Sequence, residues 1–261
     1  MADHDFDTSV AHPARVYDYW LGGKDNFEAD RKAAEEVIAV RPGILYDIRA
    51  NREFLGRAVR WLAATAGIRQ FLDIGTGIPA AGNTHQVAQA VDPAARIVYV
   101  DNDPIVLVHA RALLTGTDAG ATAYIDGDLR DPEPILATAR ETLDFTQPVA
   151  VLLIGVLHLI SDEENPKGII DRLMAAVPAG SHLALTQPAS DVNASQAAAG
   201  AQRYNSHVVT KQTRRSRSST TAFLDGLTLV EPGVVQCHRW KPAPDADLTR
   251  EVSGWAAVGR K

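Results

Sequence analysis

The chain has 261 residues, of which 46% are hydrophobic and 22% charged, a composition typical of a globular protein. Its formal net charge of −6 disfavours broad contact with a phosphate backbone, so we do not expect nucleic acid as the main partner. The longest apolar run, residues 149–157, is too short to span a bilayer. The first eight residues have no secretory-signal pattern, and the single cysteine, Cys237, excludes an intrachain disulfide. These features predict a cytoplasmic location without membrane association.

The length fits one α/β domain with a short additional segment. We expect an N-terminal helical segment over residues 1–67 and a core over residues 68–261, folded as a single unit. The lid segment (residues 1–67) contains a glycine pair, Gly22-Gly23, and a helix over residues 46–67. Its aromatic residues are interpreted either as part of a lid that closes over a ligand or as a helix stripe that packs on the core.

Short apolar runs alternate with helical patterns through the core, which predicts a doubly wound, mostly parallel sheet covered on both faces. The predicted strands are Gln70–Ile74, Arg96–Val100, Thr122–Asp126, Val149–Ile154 and His182–Thr186. The predicted helices between them are Thr84–Val91, Ile105–Leu114, Ile135–Leu143 and Pro166–Val177.

The C-terminal region lacks this alternation. Three further strand-like runs occur at Leu227–Val230, Val234–Arg239 and Trp255–Val258, with a proline-rich turn instead of a helix before the last one. We therefore expect a C-terminal antiparallel hairpin that completes a seven-stranded α/β sheet. Such a sheet is typical of class I methyltransferases rather than of dinucleotide-binding domains.

A glycine turn follows the first predicted strand. Gly75 and Gly77 begin the pattern G-x-G-x-x-A, in which glycines allow a tight turn and a close approach of the backbone to a ligand. The pattern alone is also found in simple turns and in dinucleotide sites. Asp73, two residues earlier, distinguishes these cases, because a carboxylate there repels a pyrophosphate and attracts an ammonium group.

Acidic residues also follow the next two strands. Asp101 ends the second strand and is suited to bind ribose hydroxyls, whereas Asp103 before a proline is interpreted as a helix cap. Asp128 after the third strand is either a ligand of the adenine edge or a cap. Three carboxylates at successive strand ends suit a cationic nucleoside without phosphate, which favours S-adenosylmethionine as the cofactor.

The N-terminal run ARVYDYWLGGKDNF, residues 14–27, resembles the opening motif of a largely uncharacterised family of class I S-adenosylmethionine-dependent methyltransferases. The resemblance continues through residues 49–55, Asn83-Thr84-His85, the two acidic strand ends and Val156-Leu157-His158, so it covers nearly the whole chain. It implies a Rossmann-like methyltransferase fold. It also implies that the cofactor contacts include Arg15, Tyr19, Gly23, Arg52, Asp73, Gly75, Gly77, Asp101, Asn102, Asp128 and Leu129.

Two groups of residues are candidates for further roles. His158, after the fourth strand, is either a general base or a packed loop residue. Arg15, Arg49 or Arg52 is suited to bind the methionine carboxylate of the cofactor.

The basic run at residues 211–217 is interpreted as a solvated face followed by a helix cap. The eight histidines show no spacing typical of metal ligands.

The sequence thus predicts a methyltransferase that uses S-adenosylmethionine and acts on a small-molecule substrate. Two alternatives stay open: an NAD(P)-dependent oxidoreductase, supported by the glycine pattern and Asp101, and a non-catalytic protein that binds S-adenosylmethionine.

Overall fold

The computed structural model describes residues 7–113 and 116–261, and the side chains of residues 110–113 are not described. The end of the predicted helix Ile105–Leu114 and most of the first eight residues lie outside these ranges. The strands are β1 (Gln70–Ile74), β2 (Arg96–Asp101), β3 (Ala121–Asp126), β4 (Ala150–Leu153), β5 (His182–Pro188), β6 (Thr228–Leu229), β7 (Val235–Gln236) and β8 (Gly254–Arg260). The α-helices are α1 (Pro13–Leu21), α2 (Glu28–Val40), α3 (Ile44–Ala64), α4 (Thr84–Gln89), α5 (Pro104–Leu113), α6 (Pro132–Ala139), α7 (Pro166–Ala175), α8 (Ala194–Asn205) and α9 (Arg217–Ala222).

The sheet follows the order β3-β2-β1-β4-β5-β8-β6, and its first five strands are parallel. The central strands β1 and β4 are buried along their whole length, because helices cover both faces. Two apolar clusters form the core, one on each face of the sheet. The predicted α/β architecture is confirmed, and it brings the ends of β1, β2 and β3 to one edge.

Among the described residues the sheet has eight strands, one more than the predicted seven, and the difference lies in its C-terminal part. β8 runs antiparallel to β5, and both short strands β6 and β7 pair with its other edge. The predicted strand Val234–Arg239 ends at Gln236 and continues as a 3₁₀ turn. The turn forms because the carbonyls of Cys237 and Trp240 accept hydrogen bonds from the Arg57 guanidinium instead of from a neighbouring strand.

The N-terminal helices lie against α8. A third apolar cluster joins α1, α2 and α8 and includes Val16, Trp20, Val37 and Tyr204. Helix α8 was not among the predicted helices, whereas α1 and α2 lie in the helical segment predicted over residues 1–67 without bounds of their own. Within the part of the chain that the structure describes, no helix is both long and apolar enough to cross a membrane.

Candidate functional site

A cavity of about 230 Å³ extends over the carboxyl ends of β1 to β5. Such an edge is where open α/β sheets bind their ligands. Helix α1 and the first part of α3 form one wall of the cavity, through residues such as Tyr17 and Asn51. Of the predicted cofactor contacts, Arg52, Asp73, Gly75, Gly77, Asp101, Asn102, Asp128 and Leu129 line the cavity.

The glycine turn after β1 has the backbone that the sequence predicted. Gly75 has φ +77° and Gly77 has φ +66°, a region that side chains disfavour. A Cβ at Gly75 would lie 2.5 Å from the side chain of Val156, whereas a Cβ at Gly77 would meet no atom within 4 Å. Gly75 is therefore required for packing against the loop after β4, and Gly77 leaves open space beside the backbone.

Asp73 is a buried carboxylate at the end of β1, 6% exposed. Its Oδ2 accepts a 2.6 Å hydrogen bond from the Thr84 hydroxyl, and its Oδ1 has no hydrogen-bond partner among the described residues. Burial raises the pKa of Asp73 to about 6, although Thr84 and Arg52 favour the charged form. A cation beside Asp73 would offset this cost of burial.

Asp101 lies at the end of β2 and accepts two backbone hydrogen bonds. Its Oδ2 is 2.8 Å from the amide nitrogen of Gly77, and its Oδ1 is 2.9 Å from that of Asp103. Burial raises the pKa of Asp101. Asp103 accepts a hydrogen bond from the amide of Ile105 at the start of α5, as expected of a helix cap. Asp101 thus connects the glycine turn to the second strand.

The segment Asn83-Thr84-His85 positions groups on both sides of the turn. Asn83 Oδ1 accepts hydrogen bonds from Arg52 at 2.8 Å and from the amide of Ala80 at 3.2 Å. Thr84 holds Asp73, and the His85 amide donates to the Tyr99 hydroxyl at 2.7 Å. This segment is one of the sequence pieces that carry the family resemblance. Its contacts give it a physical role, because they orient Arg52 and Asp73.

The loop after β3 contributes a polar rim. The side-chain amide of Asn102 donates to Asp128 Oδ2 at 3.3 Å, and Asp128 also accepts from the amide of Arg130 at 2.9 Å and forms an ion pair with its guanidinium. Asp128 therefore caps its own turn while it lines the cavity. Leu129 is buried beside it and supplies an apolar surface.

Three predicted cofactor contacts do not line the cavity. Arg15 is buried, forms an ion pair with Asp30 at 3.3 Å and donates to the carbonyl of Val10 at 2.8 Å. The Tyr19 hydroxyl donates to Glu35 at 2.9 Å. Gly23 packs so closely on Asp18 that a Cβ would lie 1.9 Å from the carboxylate. These contacts connect α1 to the turn that follows it and to α2.

Tyr17 and Asn51 line the cavity but were absent from the predicted site. The Asn51 side-chain amide donates to the Tyr17 hydroxyl at 2.8 Å, and burial raises the pKa of Tyr17 to about 12. The two residues lie in sequence pieces that carry the family resemblance, residues 14–27 and 49–55. That signal singled out the segments but not these side chains.

His158 lies on a 3₁₀ turn after β4 and lines the cavity. Burial, with Arg214 and Arg215 nearby, lowers the pKa of His158 to about 3, so the imidazole is neutral at physiological pH. Its Nδ1 is buried and has no partner among the described residues. His158 is therefore a neutral ring at the end of the cavity near β4.

The basic run at residues 211–217 is only in part the solvated face that was predicted, because Lys211 and Arg217 are exposed whereas Arg214 is half-buried and Arg215 is buried. Arg215 is buried, pairs with Asp162 at 2.8 Å, and donates to the carbonyls of Leu157 and Ile160 at 3.1 and 2.7 Å. These acceptors lie more than 50 residues away along the chain, so local composition could not reveal them. The predicted cap is present, because the Ser216 hydroxyl accepts from the Ser219 amide at the start of α9.

The residues at β1, β2 and β3 fit a cationic nucleoside without phosphate. Asp73 has an oxygen free for an ammonium group, Asp101 retains further lone pairs for hydroxyl groups, and Leu129 provides an apolar contact. Among the described residues, no group of three or more His, Cys, Asp or Glu side chains is placed to hold a metal ion.

Comparison with known proteins agrees with this geometry. A family model described as S-adenosyl methyltransferase matches residues 1–261. The structure is similar to a DUF574 family protein from Streptomyces avermitilis MA-4680, with 43% identity, 98% of this chain and 99% of that chain covered, and a TM-score of 0.95. A protein from Thermobifida fusca YX, provisionally described as a methyltransferase, shares 39% identity with a TM-score of 0.90, covering 98% of this chain and 96% of that chain.

A more distant structural similarity extends to human N-acetylserotonin methyltransferase in complex with S-adenosylmethionine, at 15% identity and a TM-score of 0.51. It covers 88% of this chain and 57% of the human one, and it supports the fold alone. Among curated proteins, none matches this chain.

Proposed function

The chain belongs to the S-adenosyl methyltransferase family, and we propose that it transfers a methyl group from S-adenosylmethionine to a small-molecule acceptor. Dependence on S-adenosylmethionine follows from the family and the fold. The small-molecule acceptor is supported by the cavity and by the net charge of −6, which disfavours nucleic acid.

We assign the cofactor contacts from the free donor and acceptor atoms of the cavity. Asp73 would accept from the cofactor ammonium and Asp101 from the ribose hydroxyls, while Asp128, Asn102 and Leu129 would contact the adenine. Arg52, held by Asn83 and by the carbonyl of Ala80 at 3.0 Å, would bind the carboxylate. When bound, the cofactor supplies a methyl group already activated on a sulfonium.

For His158 we propose a role toward the acceptor, because it lies beyond the glycine turn at the end of β4. A neutral imidazole can accept a hydrogen bond or a proton from an acceptor hydroxyl or amine. With its pKa lowered to about 3, His158 is a weak base. Proton transfer to it therefore requires a methyl acceptor whose own hydroxyl or amine group is acidic.

For the lid segment (residues 1–67) we propose that it forms one unit with the core and covers the cavity. The support is that Tyr17 and Asn51 line the cavity and that Trp20 packs on Tyr204 of α8 at 6.1 Å between ring centroids. For Arg15, Tyr19 and Gly23, which lie outside the cavity lining, we propose that they act by holding α1 in position.

We also propose a cytoplasmic location. The support is the single cysteine, which is free and buried, a pattern compatible with a reducing compartment.

A thermal-shift comparison tests the cofactor assignment. A ligand at about 100 times its Kd adds roughly 2.7 kcal/mol of stability. We expect a shift with S-adenosylhomocysteine and none with NAD or NADP. The opposite pattern would support an oxidoreductase and contradict the assignment.

Methyl transfer from a radiolabelled donor tests the acceptor class. After incubation with a cell extract, we expect the label in the low-molecular-weight fraction, and less of it with the Asp73→Asn variant. Label only in RNA or protein would contradict a small-molecule acceptor. Binding of S-adenosylhomocysteine without transfer to any fraction would favour a non-catalytic binding protein.

A further inference from the structure

The cavity continues past the glycine turn to the ends of β4 and β5. His158, Gln187 and Arg214 line this part, together with Arg41 and Asp47. We call these five residues the acceptor end of the cavity. The sheet order places the ends of β4 and β5 on the other side of β1 from the acids of β2 and β3.

The charges at the acceptor end do not cancel. Arg41 forms an ion pair with Asp47, which also accepts from the amide of Ser253 at 3.0 Å. His158 is neutral, because its pKa is lowered to about 3. Arg214 has no ion-pair partner within 4.0 Å among the residues that the structure describes. The acceptor end therefore carries one uncompensated positive charge.

The guanidinium of Arg214 is held in place by neutral groups. Its Nε donates to the carbonyl of Ala189 at 2.9 Å, and its Nη2 donates to the carbonyl of Ser253 at 3.2 Å. Its Nη1 has no hydrogen-bond partner within the described residues. Burial, and then the charge of Arg41, lower the pKa of Arg214 to about 9, while the charge of Asp47 acts in the opposite direction.

We propose that the methyl acceptor carries an anionic oxygen group, such as a carboxylate, which binds to Arg214 at the acceptor end of the cavity. A half-buried guanidinium that lines a cavity with a free donor is a strong partner for an anionic oxygen. The cofactor carboxylate is assigned to Arg52, on the other side of the turn. This inference rests on the proposed methyltransferase function and adds the acceptor's chemical class to it.

Calorimetry on the full-length protein saturated with S-adenosylhomocysteine tests the inference. The probes are small aromatic carboxylates, including benzoate and 4-hydroxybenzoate, each paired with its neutral amide. We expect binding of at least one acid and at least about tenfold weaker binding of its amide, because the amide lacks the charge-assisted pair. Arg214→Gln is expected to lose at least about tenfold in acid affinity, and Arg214→Lys to lose less.

Two controls separate this inference from the cofactor assignment. The affinity for S-adenosylhomocysteine is measured in each variant and is expected to stay unchanged in Arg214→Gln. Arg203→Gln removes an exposed arginine that pairs with Glu36 at 3.4 Å, and it is expected to bind the acids like the parent protein. If Arg214→Gln does not fold, Gln212→Glu places a negative charge in the cavity lining and is expected to weaken acid binding by a similar factor.

The inference is overturned if no acid binds, if amides bind as well as acids, or if the folded variants bind acids like the parent. Weaker binding of S-adenosylhomocysteine to Arg214→Gln would also overturn it, because Arg214 would then contact the cofactor. Failure of the parent protein to bind S-adenosylhomocysteine would contradict the proposed function instead.

Discussion

The raised pKa of Asp73 predicts that cofactor affinity depends on pH. The ordinary pKa of this carboxyl is 3.8, and burial raises it to about 6. Each pKa unit corresponds to roughly 1.4 kcal/mol, so keeping Asp73 ionised costs the unliganded protein about 3 kcal/mol. Since the folded state holds the proton more tightly than the unfolded state, this group lowers stability as pH rises from about 4 to about 6.

The cofactor ammonium pairs only with the ionised carboxylate. Between pH 7 and pH 5, the fraction of ionised Asp73 falls about tenfold, so we expect the affinity for S-adenosylhomocysteine to fall by about that factor. Isothermal titration calorimetry across this range measures the change. Burial also raises the pKa of Asp101.

Two variants isolate the contribution of Asp73. Asp73→Asn removes the charge and is expected to weaken binding by roughly 10- to 100-fold at pH 7 while reducing the pH dependence. Thr84→Val removes the hydroxyl that favours the ionised form, so the loss of affinity should begin at a higher pH. Equal affinity of the parent protein at pH 5 and pH 7, or full affinity of Asp73→Asn, would refute the reasoning.

Four further substitutions have defined outcomes. Gly75→Ala should cost about 2–5 kcal/mol of stability, because the added Cβ combines a positive φ with a close contact to Val156. Gly77→Ala should cost only about 1–2 kcal/mol, because only the positive φ applies there. Equal losses of stability in urea denaturation would contradict the packing argument. His158→Ala should keep S-adenosylhomocysteine affinity and lower turnover by about 10²-fold, the low end of the range for a general base, because its pKa of about 3 makes it a weak one. Unchanged turnover would exclude a base. Arg215→Gln should lose roughly 3 kcal/mol or more of stability, because it leaves buried carbonyls unpaired; a loss below about 1 kcal/mol would show that water replaces the guanidinium.

The sequence predicted the first three strands well, because each is a short, mostly apolar run that lies between helical patterns. β1 has the predicted bounds, and β2 and β3 each differ by one residue at one end. Strand ends fix where Asp73 and Asp101 lie, so the acidic edge of the cavity followed from the pattern. The 3₁₀ turn after β7 could not be predicted, since it depends on Arg57, about 180 residues earlier in the chain.

The acceptor end of the cavity was not predictable from local patterns. Arg214 and Arg215 stand in a polar, basic run that is typical of a solvated surface, yet both donate to carbonyls brought close only by the fold. Tyr17 and Asn51 meet across 34 residues, and only the structure pairs them. Local periodicity therefore indicated the sheet, whereas long-range hydrogen bonds determine which polar residues line the cavity.

The account depends on the carboxylates at the ends of β1 and β2 as the cofactor-binding groups. A crystal structure of the protein with S-adenosylhomocysteine measures this directly. We expect the amino group within hydrogen-bond distance of Asp73 and the ribose hydroxyls on Asp101. A ligand bound elsewhere, or a cavity that takes up NAD while it stays empty with S-adenosylhomocysteine, would contradict the account.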